Sequence, residues 1–162
     1  AYICDYLRIM SSGNMAPHEL EGLFDMELFS LKEELEHPSH AVTGVADGMP
    51  GFGIVAAVLG IVVTMGLLGA VEQNALGAHV AAALVGTFLG ILLAYALVEP
   101  MAALLEQRAQ DAAKEFECIK ATLLASMQGY NPGTAIEFGR KVLFSTERPG
   151  FLELETHVKG KK

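Results

Sequence analysis

The chain has 162 residues, a formal charge of −8 and a mean hydropathy of +0.38. That length admits one compact unit, and the negative charge argues against a nucleic-acid partner. The hydropathy comes chiefly from two uncharged runs in the middle of the chain; the flanks are charged like those of a soluble protein.

Residues 1–12 (AYICDYLRIMSS) read as a helix met midway and closed by Gly13 as C-cap. This first apolar stretch is brief and broken by Asp5 and Arg8, so it is not a signal peptide. Without an initiator methionine, the sequence reads as a fragment of a longer protein. A second helix is predicted from Pro17, in its first turn, to about Glu36, with Glu19 and Glu21 near its positive end. Leu20, Phe24, Leu28, Leu31 and Leu35 form its apolar stripe, and Pro38 is predicted to stop it. Its other face sets Glu21, Asp25, Glu27, Glu33, Glu34 and Glu36 against Lys32 alone. Such a face is ordinarily solvated, and it also suits a basic partner.

Residues 39–47 lead into a hydrophobic hairpin. Between Asp47 and Glu72 stand 24 residues without a charge, and between Glu72 and Glu99 another 26. At about 1.5 Å of rise per residue, either run crosses a hydrocarbon layer of about 30 Å. The expected fold is an all-α membrane protein. Transmembrane helices at 48–71 and 79–99 run antiparallel through a turn at 72–78, flanked by helical segments at 1–47 and 100–162. The turn has no Lys or Arg, whereas Arg108, Lys114 and Lys120 follow the second span closely. Both flanks are therefore expected in the cytoplasm and the turn on the far side. Cys4 and Cys118 then lie where disulfides are rare and read as free thiols.

Neither span holds an Asp, Glu, Lys or Arg, but the small residues are patterned. Gly53, Ala57, Gly60 and Thr64 share one face of the first span. Ala83, Thr87, Gly90 and Ala94 share one of the second, where Gly86 and Gly90 also make a GxxxG. Small residues let helix backbones approach closely in lipid, so this hairpin is expected to pack against other helices. Ile54, Val58, Ile61 and Leu68, with Leu84, Phe88, Ile91 and Leu92, are left for lipid. Read from the residues alone, Thr64 and Thr87 each bond the i−4 carbonyl of their own helix rather than line a pore. His79 lies near the far-side end of its helix, where an imidazole reaches water.

Beyond Pro100 the second span is predicted to continue as a helix to about Gln128. Met101, Leu105, Ala112, Phe116, Ile119, Leu123 and Met127 form its packing stripe, and Gly129 ends it. Asn131 and Pro132 read as N-cap and first position of a further helix through about Ser145, followed by a basic tail. The sequence offers no internal repeat, β-hairpin signal, Gly-rich phosphate loop, metal-ligand cluster or nucleophile–base set. No enzymatic activity and no cofactor are expected.

Four stretches carry a resemblance: CDYLRIMSSGNM, VADGMPGFGIVAAVLGIV, VGTFLGILLAYALVEP and GYNPGTAIEFGRKVLFSTERPGFLELE. In this order and spacing they resemble the flagellar motor stator subunits, the MotA branch of the MotA/TolQ/ExbB proton channel family. The resemblance reaches only the later part of that family, namely the third and fourth of four spans with the adjoining cytoplasmic segments. It implies an inner-membrane subunit, five copies of which surround two copies of MotB. MotB brings the essential aspartate along which ions pass, and the ring turns against the rotor protein FliG.

The resemblance also implies roles for individual residues. Pro50 and Pro100 match prolines that couple ion passage to movement. First-turn prolines are ordinary, which weakens the case for Pro50, whereas Pro100 interrupts a continuous helix and is expected to kink it. Thr87 matches a threonine facing the partner aspartate, against the local bond read above. Tyr95 lies in the same motif, and Glu99 departs from the small polar residue expected there. Glu27 aligns with an acidic position and is a possible rotor contact. Ala57 stands where sodium-driven relatives carry a threonine, so the expected coupling ion is H+ rather than Na+. Two alternatives remain, an ExbB/TolQ-like energiser of periplasmic or outer-membrane processes and a passive membrane scaffold. GNM, EFGRK and RPGFLELE resemble the stator branch.

Overall fold

The computed structural model describes residues 2–13, 15–70 and 72–159. Outside these lie Ala1, Asn14 of the GNM signature, the expected span end at Val71, and the tip of the basic tail. The regular elements among the described residues are all helices: α1 (Tyr2–Ser12), α2 (Pro17–Gly66), α3 (Gln73–Leu93), a π-helical segment (Ala94–Val98), α4 (Glu99–Met127), α5 (Pro132–Val142) and α6 (Phe151–Lys159). They form two compact units, Ala1–Leu35 with Arg108–Lys162, and Glu36–Gln107, where the length alone admitted one.

The first unit is built on aromatic packing. Tyr6, Leu20, Phe24 and Leu124 form its buried cluster. The Tyr6 ring stacks on Phe24 with centroids 3.7 Å apart, and Tyr2 meets Phe116 edge-on at 4.9 Å. The Tyr6 hydroxyl donates to the Glu27 carboxylate. Burial first, and then the charge of Glu27, push the Tyr2 phenol up to about 12. Glu117 accepts from both Lys32 and Lys114. Burial acts to raise its carboxyl, and the two ammonium groups outweigh that, holding it below the usual carboxylate range.

Helix ends in this unit follow their signals. Gly13 takes φ +68° after α1, and the Ala16 N–H donates to Glu19 at 2.8 Å at the start of α2. After α4, Gly129 donates to the Ser126 carbonyl at 3.1 Å and Tyr130 to that of Ala125 at 3.2 Å, a Schellman closure. The Asn131 side chain accepts from Thr134 N–H at 2.8 Å and caps α5.

The C-terminal part departs from expectation. α5 ends at Val142, short of the predicted Ser145, because Arg148 turns back to donate to the Leu143 carbonyl at 2.8 Å and that of Lys141 at 3.0 Å. α6 was not predicted. Its signal is Glu153, three residues after Gly150, whose carboxylate accepts the Gly150 N–H at 3.2 Å. Arg140 explains why EFGRK and RPGFLELE occur together: it pairs with both Glu137 oxygens, donates to the Pro149 carbonyl at 3.0 Å and lies over the Phe151 ring at 6.0 Å.

Gly139, also in EFGRK, marks where α5 lies close on α4. A Cβ there would stand 2.1 Å from the Thr122 hydroxyl and 3.0 Å from the Cys118 carbonyl. Gly139→Ala is expected to cost about 1–3 kcal/mol. Thermal melting of the detergent-solubilised protein tests this; an unchanged midpoint would mean that α5 is not held there.

The first part of α4 buries smaller residues than the predicted stripe. Met101 is 60% exposed, and the buried positions in the first part of the helix are Ala102, Ala109 and Ala113. Hydropathy picked the larger side chains, but close helix approach selects small ones. Farther along, Phe116, Ile119, Leu123 and Met127 are half-buried as predicted.

Pro38 does not stop its helix, and Pro50 is not in a first turn: α2 runs unbroken through both. An interior proline forfeits one hydrogen bond and crowds the i−4 carbonyl, at a cost of about 3 kcal/mol. Here packing on either side offsets it, with Leu20, Phe24 and Leu28 buried before the prolines and Ala57 and Thr64 after them. The reversal to α3 also comes early. Residues 67–70 form turns with Gly69 at φ +87°, and Glu72 is extended as the N-cap of α3, where the turn was expected at 72–78. Leu67 and Leu68 hid this from hydropathy. Among the described residues two helices are long and apolar enough to cross a membrane, and only 17% and 6% of their most apolar stretches are buried. A soluble core helix would bury most of such a stretch.

Candidate functional site

The second unit is organised by a seam between α2 and α3, made from the small residues singled out in the sequence. A Cβ added at Gly60 would lie 2.5 Å from the Ala83 Cβ. One at Gly53 would lie 2.9 Å from the Gly86 carbonyl oxygen, and one at Gly90 would lie 2.8 Å from the Met49 carbonyl oxygen. The contacts ascend one helix as they descend the other, so the pair is antiparallel. Gly86 packs on Ala56, its added Cβ falling 3.1 Å from that methyl. Gly53, Ala57, Thr64 and Ala83 are buried, whereas Ile54, Val58, Leu84 and Phe88 are exposed. The small faces expected to receive other helices are thus used first on each other.

Thr64 behaves as read locally, its hydroxyl donating to the Gly60 carbonyl at 2.7 Å. Thr87 does not. Its hydroxyl crosses the seam to the Gly53 carbonyl at 3.3 Å instead of bonding its own i−4 carbonyl. The reason is proximity: with no Cβ at Gly53, the Thr87 backbone comes close enough for its side chain to reach across. At 3.3 Å this is a long O–H···O bond, against an ordinary 2.7–2.8 Å or so. Ala57 turns a methyl group into the same seam and offers no oxygen.

Gly53, Ala57, Gly60, Gly86, Thr87 and Gly90 are therefore brought together. Pro50 follows Met49, whose carbonyl faces Gly90, and so lies beside the end of the seam. Pro100 is exposed in the first turn of α4, directly after the π-helical segment. There the Glu99 N–H reaches back five residues to the Ala94 carbonyl. Widening the turn is one way a helix absorbs a proline ring. Sequence reasoning expected a kink here and missed the change of register, for which the residues carry no separate signal. Tyr95, inside the segment, is 60% exposed, and Ala94 is buried. Sequence reasoning also missed Ser39, which is 4% exposed and donates to the Ala102 carbonyl at 2.9 Å. Glu27 belongs to the first unit, and its carboxylate already accepts from Tyr6. It is not the free surface acid that its helix face suggested.

The profile of the MotA/TolQ/ExbB proton channel family matches residues 5–118. Motility protein A of Escherichia coli (strain K12) is 48% identical over 163 residues, an alignment covering 99% of this chain and 54% of that protein. Motility protein A of Salmonella typhimurium (strain LT2) is 48% identical over 160 residues, with 98% and 53% covered. Chemotaxis protein LafT of Vibrio parahaemolyticus serotype O3:K6 is 42% identical over 156 residues, with 96% and 54% covered. In fold, the chain matches a chain of the "Structure of C. jejuni MotAB" with a TM-score of 0.74 at 23% identity, over 88% of this chain and 55% of that one. The chain spans about half the length of the curated relatives it matches. On the family profile and these identities, it belongs to the MotA/TolQ/ExbB proton channel family.

Proposed function

We propose that the chain is the later part of an ion-conducting stator subunit of the bacterial flagellar motor, coupling inward proton flow to torque on the rotor. The observation that carries this reading is the composition of the seam: a threonine hydroxyl on a long bond, small residues around it, and no Asp, Glu, Lys or Arg in either apolar run. An ion path needs a group that binds and releases charge, so a partner helix must bring one. A carboxylate arriving beside Thr87 is a stronger acceptor than the Gly53 carbonyl and takes its hydroxyl. That partner is MotB, five copies of this subunit surround two of it, and the rotor partner is FliG. The relatives named Motility protein A and LafT favour this branch over an ExbB/TolQ-like energiser.

In this reading α2 and α3 supply the third and fourth spans of the family as an antiparallel transmembrane hairpin in the inner membrane. The reversal at Glu72 faces the periplasm, and both flanks are cytoplasmic. The protein converts energy without catalysing a chemical reaction. Deleting the gene should leave flagella intact and abolish swimming. An uptake or envelope defect with normal swimming would assign the ExbB/TolQ class, and no defect at all would leave a passive scaffold.

The coupling ion is a proton. Na+ exchanges its waters for oxygen donors, and Ala57 supplies none. Thr64 is committed to Gly60 and lies about two turns along the helix, at about 5.4 Å per turn. Motor speed is expected to follow the proton gradient and ignore external Na+. Rotation that stops in sodium-free medium at constant proton-motive force would overturn the assignment.

A further inference from the structure

Pro38 and Pro100 interrupt the ladders of α2 and α4, and one buried bond ties the residues just beyond them. Pro38 offers no N–H to the Glu34 carbonyl, and Pro100 offers none to that of Ala96. Immediately before Pro100 the chain runs in π register from Ala94 to Val98. Helices bend most readily at such defects. Toward α3 the second unit is rigid, with glycine contacts from Met49–Gly90 to Gly60–Ala83 that leave backbones no room to slide. At the level of the two prolines, Ser39 donates to the Ala102 carbonyl at 2.9 Å, and both residues are buried. The Ser39 carbonyl in turn accepts from Thr43 at 3.0 Å.

This bond is built to exchange. The Ala102 carbonyl sits in an α-helix and keeps its own ladder partner when the serine leaves. A serine hydroxyl in a helix has a ready second acceptor in its own i−4 carbonyl, here that of Leu35. Neither state strands a buried polar group, so release costs only the difference between the two bonds, and the buried inter-helix bond to Ala102 keeps the latched state ahead by a modest margin. We propose that Ser39 is a positioning residue for energy coupling, latching α4 to α2 beside Pro38 and Pro100 and releasing as the Pro100 joint moves. The coupling role rests on the stator reading; the latch does not.

The test uses full-length protein assembled with its partner in lipid nanodiscs. Native cysteines are replaced, spin labels are placed at His40→Cys and Leu104→Cys, and labelled subunits are diluted among unlabelled ones. The parent should give one narrow distance. Ser39→Ala should add a longer one, its population rising about five-fold as the advantage of the latched state is lost. Ser39→Thr, which keeps the hydroxyl, should restore the narrow distance. In bead assays Ser39→Ala should lower torque at unchanged protein level, and Ser39→Thr should not. A distance distribution indifferent to Ser39→Ala removes the latch, whatever rotation does. A shifted distribution with unchanged torque keeps the latch and removes its coupling role. If the parent gene fails to restore swimming to its deletion strain, the stator reading fails while the distances still report on the latch.

Discussion

Gly53→Val is expected to abolish swimming, whereas Gly51→Val two residues away leaves it largely intact. Position 51 opens onto empty space, with nothing within 4 Å of an added Cβ. At position 53 the same atom would meet the Gly86 carbonyl at 2.9 Å, the Thr87 Cα at 3.2 Å and the Gly90 Cα at 3.4 Å. All three are backbone and cannot swing aside. The helices must separate, which costs about 1–3 kcal/mol for the overpacking and also breaks the Thr87–Gly53 bond. Swim-plate diameter and the thermal midpoint of the purified complex measure the effect. Equal behaviour of the two variants would show that the seam is not as close as described.

Pro100→Ala is expected to act oppositely, sparing the protein and removing its output. Alanine restores the missing N–H and favours regular α-helix by about 3 kcal/mol, on the order of a hundredfold in equilibrium. The π turn at Ala94–Val98 then closes, and losing its extra residue rotates everything beyond it by about 100°. Protein level and membrane insertion should hold while torque in bead assays falls severely. If level and torque decline together, the proline is simply structural. Pro50→Ala now deserves the same assay, since Pro50 lies inside α2 and not in a first turn.

Charge reversal at Glu27 reads differently once Tyr6 is known to donate to it. A surface ion pair is worth only about 0–1 kcal/mol, so a rotor contact alone would respond weakly. Tyr6→Phe separates the possibilities, since it removes the internal bond and leaves the acid. A motility defect in the Glu27 reversal but not in Tyr6→Phe, at equal protein levels, would favour a partner contact. Matching defects would assign Glu27 to the core of its own unit.

Much of this protein is legible in its residues because the signals are local. Uncharged runs of span length, Gly13 and Gly129 at helix ends, Asn131 before Pro132, and glycines at helical spacing each act within one or two turns. They marked the two apolar stretches, the ends of α1 and α4, the start of α5 and the members of the seam. The family followed from ordered motifs that no single physical rule explains. What the residues could not decide were choices between satisfied alternatives. Pro38 can end a helix or be carried through one, and packing on both sides carries it through. Thr87 can bond its own helix or its neighbour, and the missing Cβ of Gly53 brings the neighbour within reach. Pro100 can kink a helix or widen its turn, and the register changes at Ala94. α4 buries alanines over larger side chains because, where helices approach closely, size outranks hydropathy. For Pro38, Thr87 and the α4 alanines, it is long-range contacts invisible to any sequence window that tip the balance.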